Sequence, residues 1–351
     1  MSEVISISSL FFMNKWFLFG GVALVCIVLI VVALSGSDSV GESALPSVSE
    51  DTSLVSVTAS FYPLAFFAES VGGDRVRVAN LSGARDPHEY SPTAQDVRAI
   101  LSSDVFLYHG ADLEPWATDL LPQLPETVSV VSATSGVELF SSPDNDAHHD
   151  EEGDDEHEHE EDGEDGHGHD EEGGDGHNHG GADPHTWIDP VLAAGIVEKV
   201  RDILVSVDPD YADDYRSRAD LLLDRLSTLD DMYAERLSNC SVSETITSHD
   251  AFGYVSRRYG FTLHSIAGLS TDDEPSATRL AQLRRESSEG VTHILVEENN
   301  SGRFADVLAR ETGLSVLSIN PLGRGTMDAE KDYFDIMEEN LVSFETALGC
   351  N

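Results

Sequence analysis

Eight of the 14 histidines in this 351-residue chain lie in one acidic, glycine-rich segment between residues 144 and 181. They are His148, His149, His157, His159, His167, His169, His177 and His179. Imidazole binds zinc, copper and nickel, and a flexible run of imidazoles can wrap any of these ions without imposing one geometry. Such a polar segment cannot bury enough apolar surface to offset the entropy of ordering. The sequence therefore predicts a disordered insertion that captures metal ions weakly.

Three other histidines lie at the ends of predicted strands or in ordered loops. His88 lies in "GARDPHEYSPTAQDV", between a strand and a helix that starts near Thr93. His185 lies in "DPHTWIDP", where apolar residues return, and His249 follows a strand in "TSHDAFGYV". Ligands of α/β sheets bind at the carboxyl ends of the strands. We therefore predict that these three imidazoles form one metal site.

The remaining histidines are weaker candidates. His109, in "LYHGADLEPW", is also near a strand end, but a structural role is favoured for it. His264 and His293 fall within strand patterns and are predicted to be core or edge residues. Three acids near the candidate ligands either orient those ligands or lie on the surface: Glu89, Asp250 and Glu297.

Short apolar runs alternate with helical patterns along the chain. Four runs precede the insertion, beginning at Leu54, Val76, Val105 and Val128. Four more follow the middle of the chain, beginning at Thr245, Thr262, His293 and Ser315. Strands separated by helices are typical of parallel sheets. We predict an α/β protein with two parallel-sheet lobes, residues 54–207 and 239–351, and a metal site in the cleft between them.

One long helix is predicted to join the lobes over residues 208–238. Asp208 can cap it, Pro209 suits its first turn, and an apolar face runs from Tyr215 to Leu237. Because a helix of about 28 residues resists bending, large hinge closure is not expected.

The N-terminal region contains a predicted membrane segment. Residues 16–34, "WFLFGGVALVCIVLIVVAL", carry no charge and would span about 28 Å as a helix, close to the thickness of a bilayer core. No convincing cleavage signal follows, which favours an anchor over a removed signal peptide. Lys15 on one side and acids on the other place residues 1–15 in the cytoplasm. Residues 35–53 then form a flexible tether to an extracytoplasmic body.

Charge and cysteine content narrow the possible environments. The chain has 65 acidic and 20 basic residues, which disfavours nucleic acid and anionic lipid heads as partners and indicates a salty setting. Beyond the predicted membrane segment only Cys240 and Cys350 remain, and an oxidising compartment favours a disulfide between them. Closing so long a loop would stabilise the fold by about 4–5 kcal/mol.

Six motifs together resemble the zinc- and manganese-type substrate-binding lipoproteins of metal ABC transporters. They are "PHEYSPTAQD", "DPHTWIDP", "SHDAFGYVSRRYG", "GLSTDDEPSA", "VEENNSGRFADVLARETG" and "INPLG". The resemblance implies two α/β lobes joined by a rigid helix, with metal bound between them and passed to a permease driven by an ATPase. It also places metal ligands at His88, His185, His249 and Asn320. Asn320 is a departure, because the family pattern usually has Asp there.

The ligand types favour Zn(II) as the bound ion. Manganese prefers oxygen ligands, and the manganese-binding members of the family carry an acid where this chain has His249. We therefore expect a monomeric zinc receptor in which Asn320 is a weak or water-mediated ligand. The alternatives are a receptor for manganese or another divalent metal, an extracellular metal buffer without a transporter, and a zinc hydrolytic enzyme.

Overall fold

The strands form two four-stranded parallel sheets, as the alternation of apolar runs predicts. This computed structural model describes residues 54–140, 182–269, 275–286, 290–297, 303–324 and 331–351. The first sheet contains β1 (Val55–Ala59), β2 (Val76–Asn80), β3 (Val105–Tyr108) and β4 (Ser129–Ser132). The second contains β5 (Glu244–Thr247), β6 (Thr262–Ser265), β7 (His293–Glu297) and β8 (Ser315–Ile319).

Both sheets have the same strand order. The first runs β2-β1-β3-β4 and the second β6-β5-β7-β8. In each lobe the first strand therefore lies inside the sheet, with the second strand at one edge and the fourth at the other. Because the strands of each sheet are parallel, their carboxyl ends lie along one edge, where the loops after β2 and β5 carry His88 and His249.

Helices connect the strands, as parallel pairing requires. In the first lobe they are α1 (Tyr62–Gly72), α2 (Ala94–Leu101), α3 (Pro115–Leu120) and α4 (Pro190–Val207). The linking helix is α5 (Ala212–Arg236). The second lobe contains α6 (Gly253–Tyr259), α7 (Ala277–Glu286), α8 (Arg303–Thr312) and α9 (Tyr333–Leu348). Thr93 caps α2 with its side chain, so this helix begins where the sequence predicts.

The linking helix begins four residues later than the sequence predicts. Pro209–Tyr211 form a separate 3₁₀ turn, and Asp208 makes no side-chain cap. Its carboxylate instead accepts hydrogen bonds from the Tyr215 hydroxyl at 2.7 Å and from Arg75 at 3.2 Å. The Asp208 side chain therefore ties the start of this region to Arg75 and to Tyr215 of the linking helix.

One hydrophobic cluster extends through both lobes and includes the linking helix, and each lobe also has a smaller cluster of its own. Buried side chains of α5 pack in the same cluster as those of α1, α4 and α9. The buried face of α5 consists of Tyr215, Ala219, Leu222, Leu226, Leu229 and Tyr233. The Tyr233 hydroxyl also donates to the Met337 carbonyl in α9 at 2.6 Å. Packing on both sides therefore fixes the linking helix relative to the second lobe as well as the first.

A disulfide joins Cys240 to Cys350, which confirms the predicted pairing. The two cysteines are 110 residues apart and also form an isolated antiparallel bridge. The link ties the start of the second lobe to the end of α9.

Several predictions fall outside the described residues. They concern the cytoplasmic stretch 1–15, the membrane segment 16–34, the tether 35–53 and the insertion 144–181. Among the residues that the structure does describe, no helix combines the length and the apolar character needed to cross a membrane.

Candidate metal centre

His88 lies in the loop that follows β2, and this loop is held by its own polar side chains. The Asp86 carboxylate accepts a hydrogen bond from the backbone N–H of His88 at 3.0 Å. The Arg85 guanidinium donates to the carbonyls of Leu81 and Ser82 and lies 4.3 Å from the centre of the Tyr90 ring. These contacts present a half-buried imidazole to the cleft.

His185 is positioned by a turn that repeats the pattern around His88. In both places the sequence reads Asp-Pro-His, and the Asp side chain accepts a hydrogen bond from the His backbone N–H. Asp183 also contacts the ring, because its Oδ1 lies 2.8 Å from His185 Nδ1. This contact fixes the ring so that Nε2 faces the cleft.

His249 follows β5 and receives a carboxylate from the neighbouring strand. Glu297, the last residue of β7, contacts His249 Nδ1 through Oε1. Both side chains are almost completely buried, and His249 Nε2 is buried without a hydrogen-bond partner. A buried nitrogen lone pair without a partner is what a metal ion would occupy.

The three imidazoles converge on one point between the lobes. Their ligand atoms lie within 4.8 Å of one another, and His88 Nε2 is 3.1 Å from His185 Nε2. The cavity at their tips is about 20 Å³, enough for one water-sized sphere. Residues of both lobes line it, and its size suits a single ion.

Burial keeps the two inner imidazoles neutral. It lowers the pKa of His185 to about 3 and the pKa of His249 well below its ordinary value. The neutral form is the one that binds a metal ion, because a protonated imidazole has no free lone pair. Asp183 and Glu297 contact Nδ1 of these two rings, and their carboxylates would supply the charge that balances a cation. Burial raises the pKa of Asp183 to about 8, and a cation nearby would favour its ionised form.

Asn320 lines the same cavity, but its side-chain oxygen is engaged in a hydrogen bond within its own loop. Its Oδ1 accepts a hydrogen bond from the Leu322 N–H at 2.8 Å. The Asn320 backbone is held by Asn340, which both accepts from its N–H and donates to its carbonyl. Leu322 has a positive φ of 64°, so the Asn320 side chain supports a strained turn at the rim of the site.

Three further histidines lie in the described part of the chain, outside the cluster. His109 is fully buried, and its Nε2 lies 2.5 Å from the Pro184 carbonyl, next to His185. Burial lowers the pKa of His109 to about 3. His264 contacts Glu244, and His293 contacts the Thr292 hydroxyl. None of these three belongs to the cluster of ligand atoms found among the described residues.

Sequence reasoning identified the clustered ligands but not how each is supported. Glu297 was a candidate orienting acid, and it contacts His249. Neither Glu89 nor Asp250 belongs to the group of candidate ligands in the described part of the chain. Asp183 was missed, although the repeated Asp-Pro-His pattern was a signal that could have found it.

Comparison with known proteins gives the same picture. The chain matches the ZnuA family, described as "Zinc-uptake complex component A periplasmic", over residues 57–347. It is 35% identical over 296 residues to the zinc-binding lipoprotein AdcA of Streptococcus pneumoniae. That alignment covers 82% of this chain and 54% of AdcA, so the chain spans about half the length of this relative.

A second relative is matched along nearly its whole length. The high-affinity zinc uptake system protein ZnuA of Bacillus subtilis is 31% identical over 342 residues, which cover 95% of this chain and 98% of that protein. The crystal structure of the Zn(II)-bound ZnuA-like domain of S. pneumoniae AdcA has a TM-score of 0.67 and 31% identity. It is matched over 84% of this chain and 99% of the domain. The fold, the cluster of three imidazoles and these matches agree, and the chain belongs to the ZnuA family of zinc-uptake complex components.

Proposed function

We propose that this chain is an extracytoplasmic receptor that captures Zn(II) between its lobes and delivers it to an ABC-type metal permease and its ATPase. The observation that carries the proposal is the convergence of His88, His185 and His249 on a cavity for one ion. The relatives named as zinc-binding and zinc-uptake proteins support the same ion and the same role. In this role the protein binds its cargo and releases it unchanged, so it is not an enzyme.

The donor atoms support zinc over manganese. Three neutral nitrogen ligands suit zinc, at distances of about 2.0–2.1 Å, whereas manganese favours carboxylate and water oxygens. The carboxylates of Asp183 and Glu297 contact Nδ1 of two of the rings. We propose that Asn320 completes the site as a weak or water-mediated ligand.

The proposal also assigns a role to each segment of the chain. Residues 16–34 anchor the protein to the outer face of the membrane, with 1–15 in the cytoplasm and 35–53 as the tether. Residues 54–207 and 239–351 form the binding lobes, which residues 208–238 connect. The eight histidines of the insertion 144–181 raise the local concentration of zinc near the cleft.

Zinc titration of the full chain and its histidine variants tests the central proposal. A competing chelator that masks weak sites should reveal one tight zinc equivalent in the parent protein. His88→Ala, His185→Ala and His249→Ala each remove a ligand bond that water replaces poorly. Each should weaken zinc binding by more than the 10- to 100-fold typical of losing a supporting residue.

The control is His264→Ala, which removes a half-buried imidazole outside the cluster. It should leave the tight equivalent unchanged. If all three cleft variants retain the zinc affinity of the parent, the proposed site is wrong.

A further inference from the structure

An ion pair crosses the cleft beside the candidate metal centre. Arg324, which follows β8 in the second lobe, donates from Nε at 3.2 Å and from Nη2 at 2.8 Å to Oδ2 of Asp86 in the first lobe. The Asp86 side chain is only 4% exposed and that of Arg324 is 28% exposed. A pair this close and this buried is screened much less by salt than a pair on the surface.

The two oxygens of the Asp86 carboxylate serve different partners. Oδ2 accepts from Arg324, and Oδ1 accepts from the backbone N–H of His88 at 3.0 Å. One carboxylate thus connects an arginine of the second lobe to the main chain of a candidate ligand in the first. Arg324 and Asp86 are 238 positions apart in the chain, so only the tertiary structure brings them together.

Backbone packing at the same place supports the ion pair. Gly323 approaches Pro87 so closely that a Cβ on Gly323 would lie 3.2 Å from two atoms of the proline ring. Pro87 stands between Asp86 and His88, so the second lobe approaches two consecutive residues of this turn. The close approach explains why a residue without a side chain stands beside Arg324.

A carboxylate contacts each of the three candidate ligands. Asp183 and Glu297 contact Nδ1 of His185 and His249. Asp86 accepts a hydrogen bond from the main chain of His88, the most exposed of the three. A movement of Asp86 would therefore move the main chain that carries the His88 ring.

We propose that Arg324 is a positioning residue that holds His88 in the metal-binding arrangement through Asp86. The inference rests on the proposed function, since it assigns Arg324 a role at the same site. An arginine fits this role because its planar fork places two donors on one carboxylate, whereas a lysine offers a single flexible ammonium. Without Arg324, the buried Asp86 carboxylate loses the two hydrogen bonds that the guanidinium donates, and the turn that carries His88 loosens.

The test uses the full chain with Arg324→Gln, Arg324→Lys, Asp86→Asn and the double variant Asp86→Asn/Arg324→Gln. Zinc affinity and the zinc dissociation rate are measured with a competing chelator. Hydrogen exchange of residues 81–90 is measured separately in the metal-free protein. We expect Arg324→Gln to weaken zinc binding by about 10- to 100-fold and to speed exchange in this loop. Arg324→Lys should recover part of both losses.

Arg258→Gln is the matched control. Arg258 in α6 pairs with the buried Asp189 of the first lobe, so this change also removes an arginine–aspartate pair between the lobes. It does not touch the turn that carries His88. Zinc affinity and exchange of residues 81–90 should therefore stay within about twofold of the parent, the scatter expected for a change outside the site.

The double variant decides whether Arg324 acts through Asp86. If it does, the double variant binds zinc no more weakly than Asp86→Asn alone, because both changes break the same connection. Losses that add would overturn the proposal, as would an Arg324→Gln variant with parental zinc affinity and parental exchange. If the parent itself lacks a tight zinc site, the proposed function fails, and exchange in the metal-free variants still decides whether Arg324 positions the turn.

Discussion

At the scale of single residues, each clustered imidazole is supported by a carboxylate from its own lobe. Asp183 and Glu297 orient the rings of His185 and His249, and Asp86 holds the main chain of His88. A carboxylate on Nδ1 fixes the tautomer and increases the basicity of the other ring nitrogen. The ligands are therefore set before an ion arrives, which lowers the entropy cost of binding.

Asn320 is the residue whose contribution is most directly tested by substitution. Asn320→Asp should tighten zinc binding and raise tolerance of manganese, because a carboxylate adds negative charge and a hard oxygen ligand. Asn320→Ala should remove the hydrogen bond to Leu322 and lower the free energy of unfolding by about 1 kcal/mol. Its effect on zinc affinity should be much smaller than that of His185→Ala. Zinc dissociation constants and denaturant unfolding measure the two effects separately.

The loss of zinc affinity in His185→Ala is the reference against which the Asn320→Ala loss is judged. An Asn320→Ala loss of zinc affinity as large as that of His185→Ala would mean that the amide is a full ligand. The site would then contain four protein ligands, and the three-histidine description would be incomplete.

At the scale of elements, the linking helix α5 is expected to stabilise both lobes together. Its 25 residues span about 37 Å, and its buried face packs in the core cluster that both lobes share. Leu226→Ala deletes a side chain that is 1% exposed and should lower the free energy of unfolding by about 2–5 kcal/mol. Denaturant unfolding should still show one transition.

The same helix supplies the control. Leu221 is 66% exposed on the opposite face, so Leu221→Ala should change the free energy of unfolding by no more than about 0.5 kcal/mol. Two separate unfolding transitions in the Leu226→Ala protein would show that the lobes do not depend on a common helix.

At the scale of the whole molecule, we expect the insertion 144–181 to bind metal weakly and the cleft to bind it tightly. The ends of the described chain around the insertion are close, because the Asp183 N–H donates to the Phe140 carbonyl at 2.9 Å. Deleting residues 144–181 leaves four residues between Phe140 and Asp183, a normal length for a tight loop. The shortened protein should lose several weak zinc equivalents and keep one tight equivalent, as measured by titration calorimetry.

Adding His185→Ala to the shortened protein should remove the remaining tight equivalent. Loss of the tight site on deletion alone would instead show that the histidine-rich insertion supplies ligands to it. The division between capture by the insertion and binding in the cleft would then be wrong.

The sequence by itself determined the elements and singled out the three clustered histidines, because these depend on local patterns. Short apolar runs identified all eight strands, and strand ends and ordered loops pointed to His88, His185 and His249. The two cysteines beyond the predicted membrane segment were enough to predict the disulfide. The strands and helices are set by residues near one another in the chain. The disulfide was predictable because two cysteines allow only one pairing.

Only the tertiary structure decided which side chains support the site. Glu297 reaches His249 from 48 residues away, and Arg324 reaches Asp86 from 238 residues away. Arg75 reaches Asp208 from 133 residues away, just before the linking helix starts at Ala212. A charged side chain has many possible partners in the sequence, and its actual partner is the one that packing brings within about 3 Å of it. Local patterns fix what each segment becomes, whereas packing between distant segments fixes what each polar group contacts.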